Sequence, residues 1–273
     1  MAAGYTGREM KAILQELDYR RFKDPSLLER VPVMGPLASL ILEKGLYEGD
    51  FLEKWLEDLL GQKGVSTFGD LILPEYRDEP RYRFKLRVIT SDITRGCLLV
   101  LPQDIAEYGI PAEELGVARA VRMSMSIPFF YKPVKLQNRR TGTASYLVDG
   151  GLLSNFPVWL FDTEGAAPEW PTFGFKLVEP GEGKPHRVRG PISLLSALFA
   201  TMLEAHDRRH IKEQHFVRTI AIPTLGIGTT EFDIPRERSE ALYQSGRAAA
   251  ERFLTTWDFA GYIAKYRQPA SPA

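Results

Sequence analysis

The chain has 273 residues, 44% hydrophobic and 26% charged, with 35 Lys+Arg against 35 Asp+Glu and a formal net charge of zero. That balance excludes a disordered or fibrous chain, leaves ample length for a core, and gives no general attraction for nucleic acid or anionic lipid. One cysteine, Cys97, excludes an internal disulfide and a multi-cysteine metal site, and no stretch reaches the roughly 18 apolar residues of a membrane span.

From Thr6 the residues Met10, Ile13, Leu14 and Leu17 keep helical spacing. The opening MAAGYTGREMKAILQELDYRR lacks a basic start followed by an apolar block, so it does not read as a signal peptide. With the lone cysteine it suggests a cytoplasmic protein, peripheral at most to membranes. Residues from about 25 to 80 read as short helices and loops. Within them Asp50 is placed to cap a helix whose Leu52, Trp55, Leu56, Leu59 and Leu60 form one apolar stripe, ending near Gly61 and Gly64. The period then changes. Phe84 to Thr90 and Leu98 to Leu101 read as strands, Ala112 to about Met123 as a helix, and Ser145 to Val148 as a buried strand ending at Asp149. Thr172 to Val178 and Phe216 to Ile222 are further strands. Pro191 to about Gln214 is a long helix with Leu195, Leu198, Phe199, Met202 and Leu203 on one face, and Pro235 opens another. Interleaved strands and helices imply a parallel or mixed sheet covered by helices.

Two stretches carry the chemistry. In YLVDGGLLSNFPVW, residues 146–159, a buried strand ends in the carboxylate of Asp149, followed by Gly150 and Gly151. Ligands of open α/β sheets gather at such strand ends, and glycines there permit positive φ or a close approach to a neighbouring loop. Asp149 can serve as a base or orient one; on spacing alone the same residues describe a strand ending in a turn. In AVRMSMSIPFFYKPV, residues 120–134, a helical run stops at Ser126-Ile127-Pro128 and gives way to Phe129, Phe130 and Tyr131. Such a loop can line a greasy pocket or lie tucked under the core.

Together, and in this order, the two stretches resemble the patatin-like phospholipase family. LRVITSDITRGCLLVLPQDI is similar to that family's preceding strand and hairpin, and KGLYEGDFLEKWLEDLLGQKGVSTFGDL to the helical insertion of its bacterial members. The resemblance runs from Ala2 to about Leu254. It implies a three-layer α/β/α sandwich with a mostly parallel central sheet. It also implies a serine hydrolase of lipid acyl esters, of phospholipase A or lysophospholipase type, working through a Ser-Asp dyad without histidine, metal or organic cofactor. The family's Asp-Gly-Gly maps onto Asp149, Gly150 and Gly151; Ser126, Ile127, Pro128, Phe129 and Phe130 fall where a substrate pocket is expected. The implied partner is a phospholipid or other acyl lipid, with transient membrane contact and no nucleic acid.

The family's nucleophile sits in Gly-x-Ser-x-Gly on a strand-to-helix turn, after a glycine-rich oxyanion loop. Neither occurs here: GVSTF, residues 64–68, ends in Phe68. Met1 falls inside or just after the family's nucleophile helix, so the expectation is a single domain over 1–265, N-terminally truncated, with a lid-like helical insertion at about 20–80 and a frayed tail at 266–273. A dyad needs nucleophile and base within hydrogen-bond reach. The chain alone is therefore expected to be inactive, with a start site assigned too far downstream favoured over a gene remnant or a non-catalytic lipid-binding module. Ser126 and Ser154 are conceivable stand-in nucleophiles, more simply read as loop scaffold and turn.

The other candidates are weaker. His206 and His210 share a helical face with His215 beyond, but Asp207, Arg208 and Arg209 lie between the pair, so a solvated helix end is the simpler reading and lipid phosphates an alternative. His186 reads as surface, Cys97 as an inert buried thiol, and the Leu52–Leu60 stripe as packing or as a lid.

Overall fold

The computed structural model describes residues 1–25, 44–162, 167–178 and 213–267, with positions 194, 197, 198 and 201. The chain divides into two units, Met1–Asn155 with Arg187–Leu203, and Phe156–His186 with Glu204–Ala273.

The first unit opens on α1, Gly7–Glu16, as its spacing predicts. Thr6 and Glu9 close a capping box: the Glu9 N–H donates to Thr6 Oγ1 at 3.2 Å and the Thr6 N–H to Glu9 Oε2 at 2.7 Å. α2 spans Asp50–Gln62, but Asp50 is not its cap. Gly49, at φ 80°, holds that position. The capping carboxylate comes from Asp24, which accepts the N–H groups of Gly49 at 2.8 Å and Phe51 at 2.9 Å. Asp50 lies in the first turn, where the helix dipole favours its charge. Gly61 is helical and Gly64, at φ 70°, makes the left-handed exit. α2 packs against α3, Val117–Ser124, with Glu53 paired to Arg119 at 2.9 Å and only Leu52 buried.

The predicted helix from Ala112 is split. A 3-10 turn at Ala112–Glu114 precedes α3 because Leu115 and Gly116 are extended. They bridge to the chain at 66–68, where the Phe68 N–H donates to the Leu115 carbonyl and the Val117 N–H to the Ser66 carbonyl, both at 3.0 Å. The expected strand at Phe84 likewise starts later. Residues 83–85 are bound to the preceding loop, Leu73 N–H to Arg83 O at 2.8 Å and Lys85 N–H to Leu71 O at 2.9 Å.

Four strands then form one sheet in the order β3-β2-β6-β5: β2 Val88–Asp92, β3 Cys97–Leu101, β5 Val134–Gln137 and β6 Ala144–Asp149. Phe68, Leu101, Ile105, Tyr108, Met123 and Leu147 are among the fully buried side chains of its core. Asp92 ends β2 completely buried, accepting from the N–H groups of Thr94 at 2.8 Å and Arg95 at 3.0 Å and from the Tyr108 hydroxyl at 2.5 Å. Opposite it, Cys97 is half-buried, and burial pushes its thiol up. Among the sheet strands β5 escapes the sequence pattern, and so do two further strands: β1, Gly45–Tyr47, pairs in parallel with β4, Phe129–Tyr131.

In the second unit β7, Gly174–Val178, runs parallel to β8, Thr219–Pro223, so the predicted strand at Phe216 begins three residues later, after a short helix α4 at Glu213–Phe216. α5, Arg236–Thr256, starts after Pro235 and packs on β8, with the Ser245 hydroxyl donating to the Pro223 carbonyl at 2.9 Å. α6, Phe259–Tyr266, follows. Asp162 gathers this unit's charges: Arg218 reaches it at 2.7 and 2.8 Å and Arg267 at 2.6 Å. Arg218 is 2% exposed and also donates to His215 Nδ1 at 2.6 Å. The expected helix at 191–214 lies largely outside the described residues, as do His186, His206, His210 and the tail beyond 267.

The chain is mixed α/β, as expected, with parallel pairing in β1–β4 and β7–β8. The four-stranded sheet is antiparallel throughout: β2–β3 and β5–β6 are hairpins whose short connections can return the chain only antiparallel, and β2 also pairs antiparallel with β6.

Candidate active site

β6 delivers Asp149 to the edge of the core. Leu147 and Val148 are buried, and Asp149 stands in register with Thr90 of β2. The Thr90 hydroxyl, wholly buried, donates to the Val148 carbonyl at 2.7 Å and fixes the strand end. The chain then turns through a 3-10 helix at Gly150–Leu152. Neither Gly150 nor Gly151 uses positive φ, so the conformational half of the sequence argument is corrected here. The close approach is what Gly150 supplies: a Cβ there would meet the Ile89 carbonyl oxygen at 2.5 Å.

The Asp149 carboxylate accepts the Gly151 N–H on Oδ1 at 2.7 Å, as the cap of that turn. Its backbone N–H donates to the Ser126 carbonyl at 3.0 Å, which joins the two stretches singled out in the sequence. No arginine or lysine bonds to Asp149 among the described residues. Burial pushes its carboxyl up to about 6, against the lowering influence of the Gly151 N–H.

Ser126 is fully buried, and its hydroxyl is engaged twice: it donates to the Arg122 carbonyl at 2.7 Å and accepts from Arg122 Nη1 at 2.5 Å. Ile127, Pro128, Phe129 and Phe130 follow as a half-buried run. Phe129 sits at φ 69°, a left-handed conformation rare for a bulky residue and a local store of backbone strain. The Phe130 ring lies 4.8 Å from that of Tyr47 and 4.9 Å from that of Tyr131. Ser154 is buried in the turn, its N–H on the Gly150 carbonyl at 2.9 Å. In GVSTF the Ser66 N–H donates to Asp70 at 2.8 Å, opening a 3-10 turn. No serine hydroxyl donates to Asp149 among the described residues, and no cluster of three or more His, Cys, Asp or Glu there could hold a metal. No described helix is long and apolar enough to cross a membrane.

Sequence reasoning missed Arg122. Its signal was a cation inside the apolar run AVRMSM, at a helix position facing the core.

A family model, patatin-like phospholipase, matches residues 1–162. The chain is 39% identical over 260 residues to YqhO, an uncharacterized protein of Bacillus subtilis (strain 168), covering 95% of this chain and 84% of that one. The strand end at Asp149, the Ser-Ile-Pro loop whose Ser126 carbonyl accepts the Asp149 N–H, and the matched residues lead to one conclusion: the chain belongs to the patatin-like phospholipase family.

Proposed function

We propose that this chain carries the base of a lipid acyl-ester hydrolase of phospholipase A or lysophospholipase type. The observation that supports this reading is Asp149 itself. It is a half-buried carboxylate at a strand end, with one hydrogen bond on Oδ1 and none on Oδ2 from the described residues. A carboxyl raised to about 6 is a better proton acceptor than an ordinary aspartate yet is largely ionised at neutral pH. In the proposed reaction a serine hydroxyl attacks the ester carbonyl as Asp149 takes its proton, and Asp149 passes that proton to the departing alcohol as the acyl-enzyme forms. A water then attacks the acyl-enzyme and gives its proton to the same carboxylate, which returns it to the serine oxygen as the acid leaves. Ser126, Ile127, Pro128, Phe129 and Phe130 flank the acyl chain in this reading, and a membrane surface is met only transiently.

The 273 residues hold no Gly-x-Ser-x-Gly, and Ser126 is locked on Arg122. In this reading none of these residues serves as the nucleophile of the dyad, so the 273-residue chain by itself is expected to turn over no ester. The same observation favours the second reading, a non-catalytic lipid-binding module on the family scaffold. Translating the reading frame ahead of Met1 separates them, and the extended protein is then assayed on a 4-nitrophenyl acyl ester. Turnover that falls about 10³-fold or more in Asp149→Asn supports the hydrolase; an in-frame stop with no serine motif, or turnover indifferent to Asp149, rejects it.

A further inference from the structure

Arg122 is a buried cation, 4% exposed, that bonds to no carboxylate among the described residues. Its guanidinium instead collects oxygens from three separate segments. It donates to the carbonyl of Glu48 ahead of α2, to the carbonyl of Lys132 after β4 at 3.0 Å, and to the hydroxyl of Ser126 at 2.5 Å. Its charge also lies over the Tyr131 ring, 5.5 Å from the centroid. The surroundings are shaped to it. A Cβ on Gly49 would collide with the guanidinium, and Lys132 and Glu48, whose carbonyls it holds, are joined by their own ion pair at 2.5 Å. Only arginine offers a planar fork of donors that can reach several fixed acceptors at once.

The chain of bonds continues past Ser126. Its hydroxyl is held by Arg122, and its carbonyl accepts the Asp149 N–H. We propose that Arg122 is a positioning residue for Asp149: by anchoring the Ser126 segment it fixes where the end of β6 sits and how its carboxylate is presented. The effect on turnover rests on the hydrolase reading; the effect on the carboxylate does not.

The experiment follows the Asp149 carboxyl by carbon-13 NMR in the 273-residue chain, its resonance assigned by loss in Asp149→Asn. In the unaltered protein its midpoint is expected at about 6. Arg122→Lys keeps the charge but loses the fork, so the strand end loosens and water reaches the carboxylate. The midpoint then falls by about one pH unit. Ser126→Ala removes only the hydroxyl link and gives a smaller fall in the same direction, so the inference stays testable if Arg122→Lys does not fold. Arg83→Gln, which breaks an ion pair with Glu113 elsewhere in the unit, controls for general loosening and leaves the midpoint in place. A folded Arg122→Lys or Ser126→Ala with an unmoved midpoint overturns the positioning role. So does an equal fall in Arg83→Gln. A shifted midpoint together with an extended protein that hydrolyses no ester would sink the hydrolase reading alone.

Discussion

Asp149 in the first unit and Asp162 in the second are the same side chain under opposite treatment. Asp162 is gripped by two arginines at 2.6 to 2.8 Å, one of them 2% exposed. Asp149 has one backbone N–H and no cation among the described residues, and burial holds its carboxyl up to about 6. A carboxylate saturated by guanidinium forks ties structure together. One left half-dry and underpartnered holds its proton readily, which suits proton transfer and costs stability.

The same substitution at the two sites should therefore act with opposite sign. Asp162→Asn leaves the buried Arg218 without its counter-charge and should lose about 3 kcal/mol or more, read as a lower urea midpoint. An unchanged midpoint would erase the contrast. Asp149→Asn should gain stability at pH 8. Its folded carboxyl titrates at about 6 against an ordinary 3.8, so as pH rises the unfolded chain ionises first. The contribution is complete below about pH 4 and lost by about pH 6, so the unaltered chain forfeits up to about 3 kcal/mol across that window. The variant, with nothing to ionise, should show a flatter profile there, and an equally steep decline in both proteins would remove Asp149 as the cause. A third carboxylate calibrates the pair: Asp24→Ala strips two N–H partners from the start of α2 and should cost about 1 to 2 kcal/mol at pH 7, measured by thermal unfolding.

What could be read ahead of the structure follows the reach of each interaction. β6 and Asp149 were legible because an apolar run ending in Asp-Gly-Gly is a local pattern. The α2 stripe was legible for the same reason, yet its cap was misplaced. Asp50 has the right spacing, while Asp24 reaches the helix end from outside the pattern. β1 and β4 were invisible because short strands paired across some eighty residues leave no periodic trace, and the left-handed Phe129 breaks such alternation as there is. Arg122 was missed because its partners are mostly backbone carbonyls, which no side-chain pattern encodes. The Asp162 cluster draws on residues 162, 218 and 267, too far apart for any spacing to announce.

Cys97 lends itself to a use outside catalysis. It is the one thiol in the sequence, set in the β2–β3 ladder opposite Asp92 with its proton held more tightly than usual. Alkylation requires the thiolate, so the closed hairpin reacts slowly. The labelling rate at a single atom thus becomes a clock for how often that hairpin breathes, with no engineered probe.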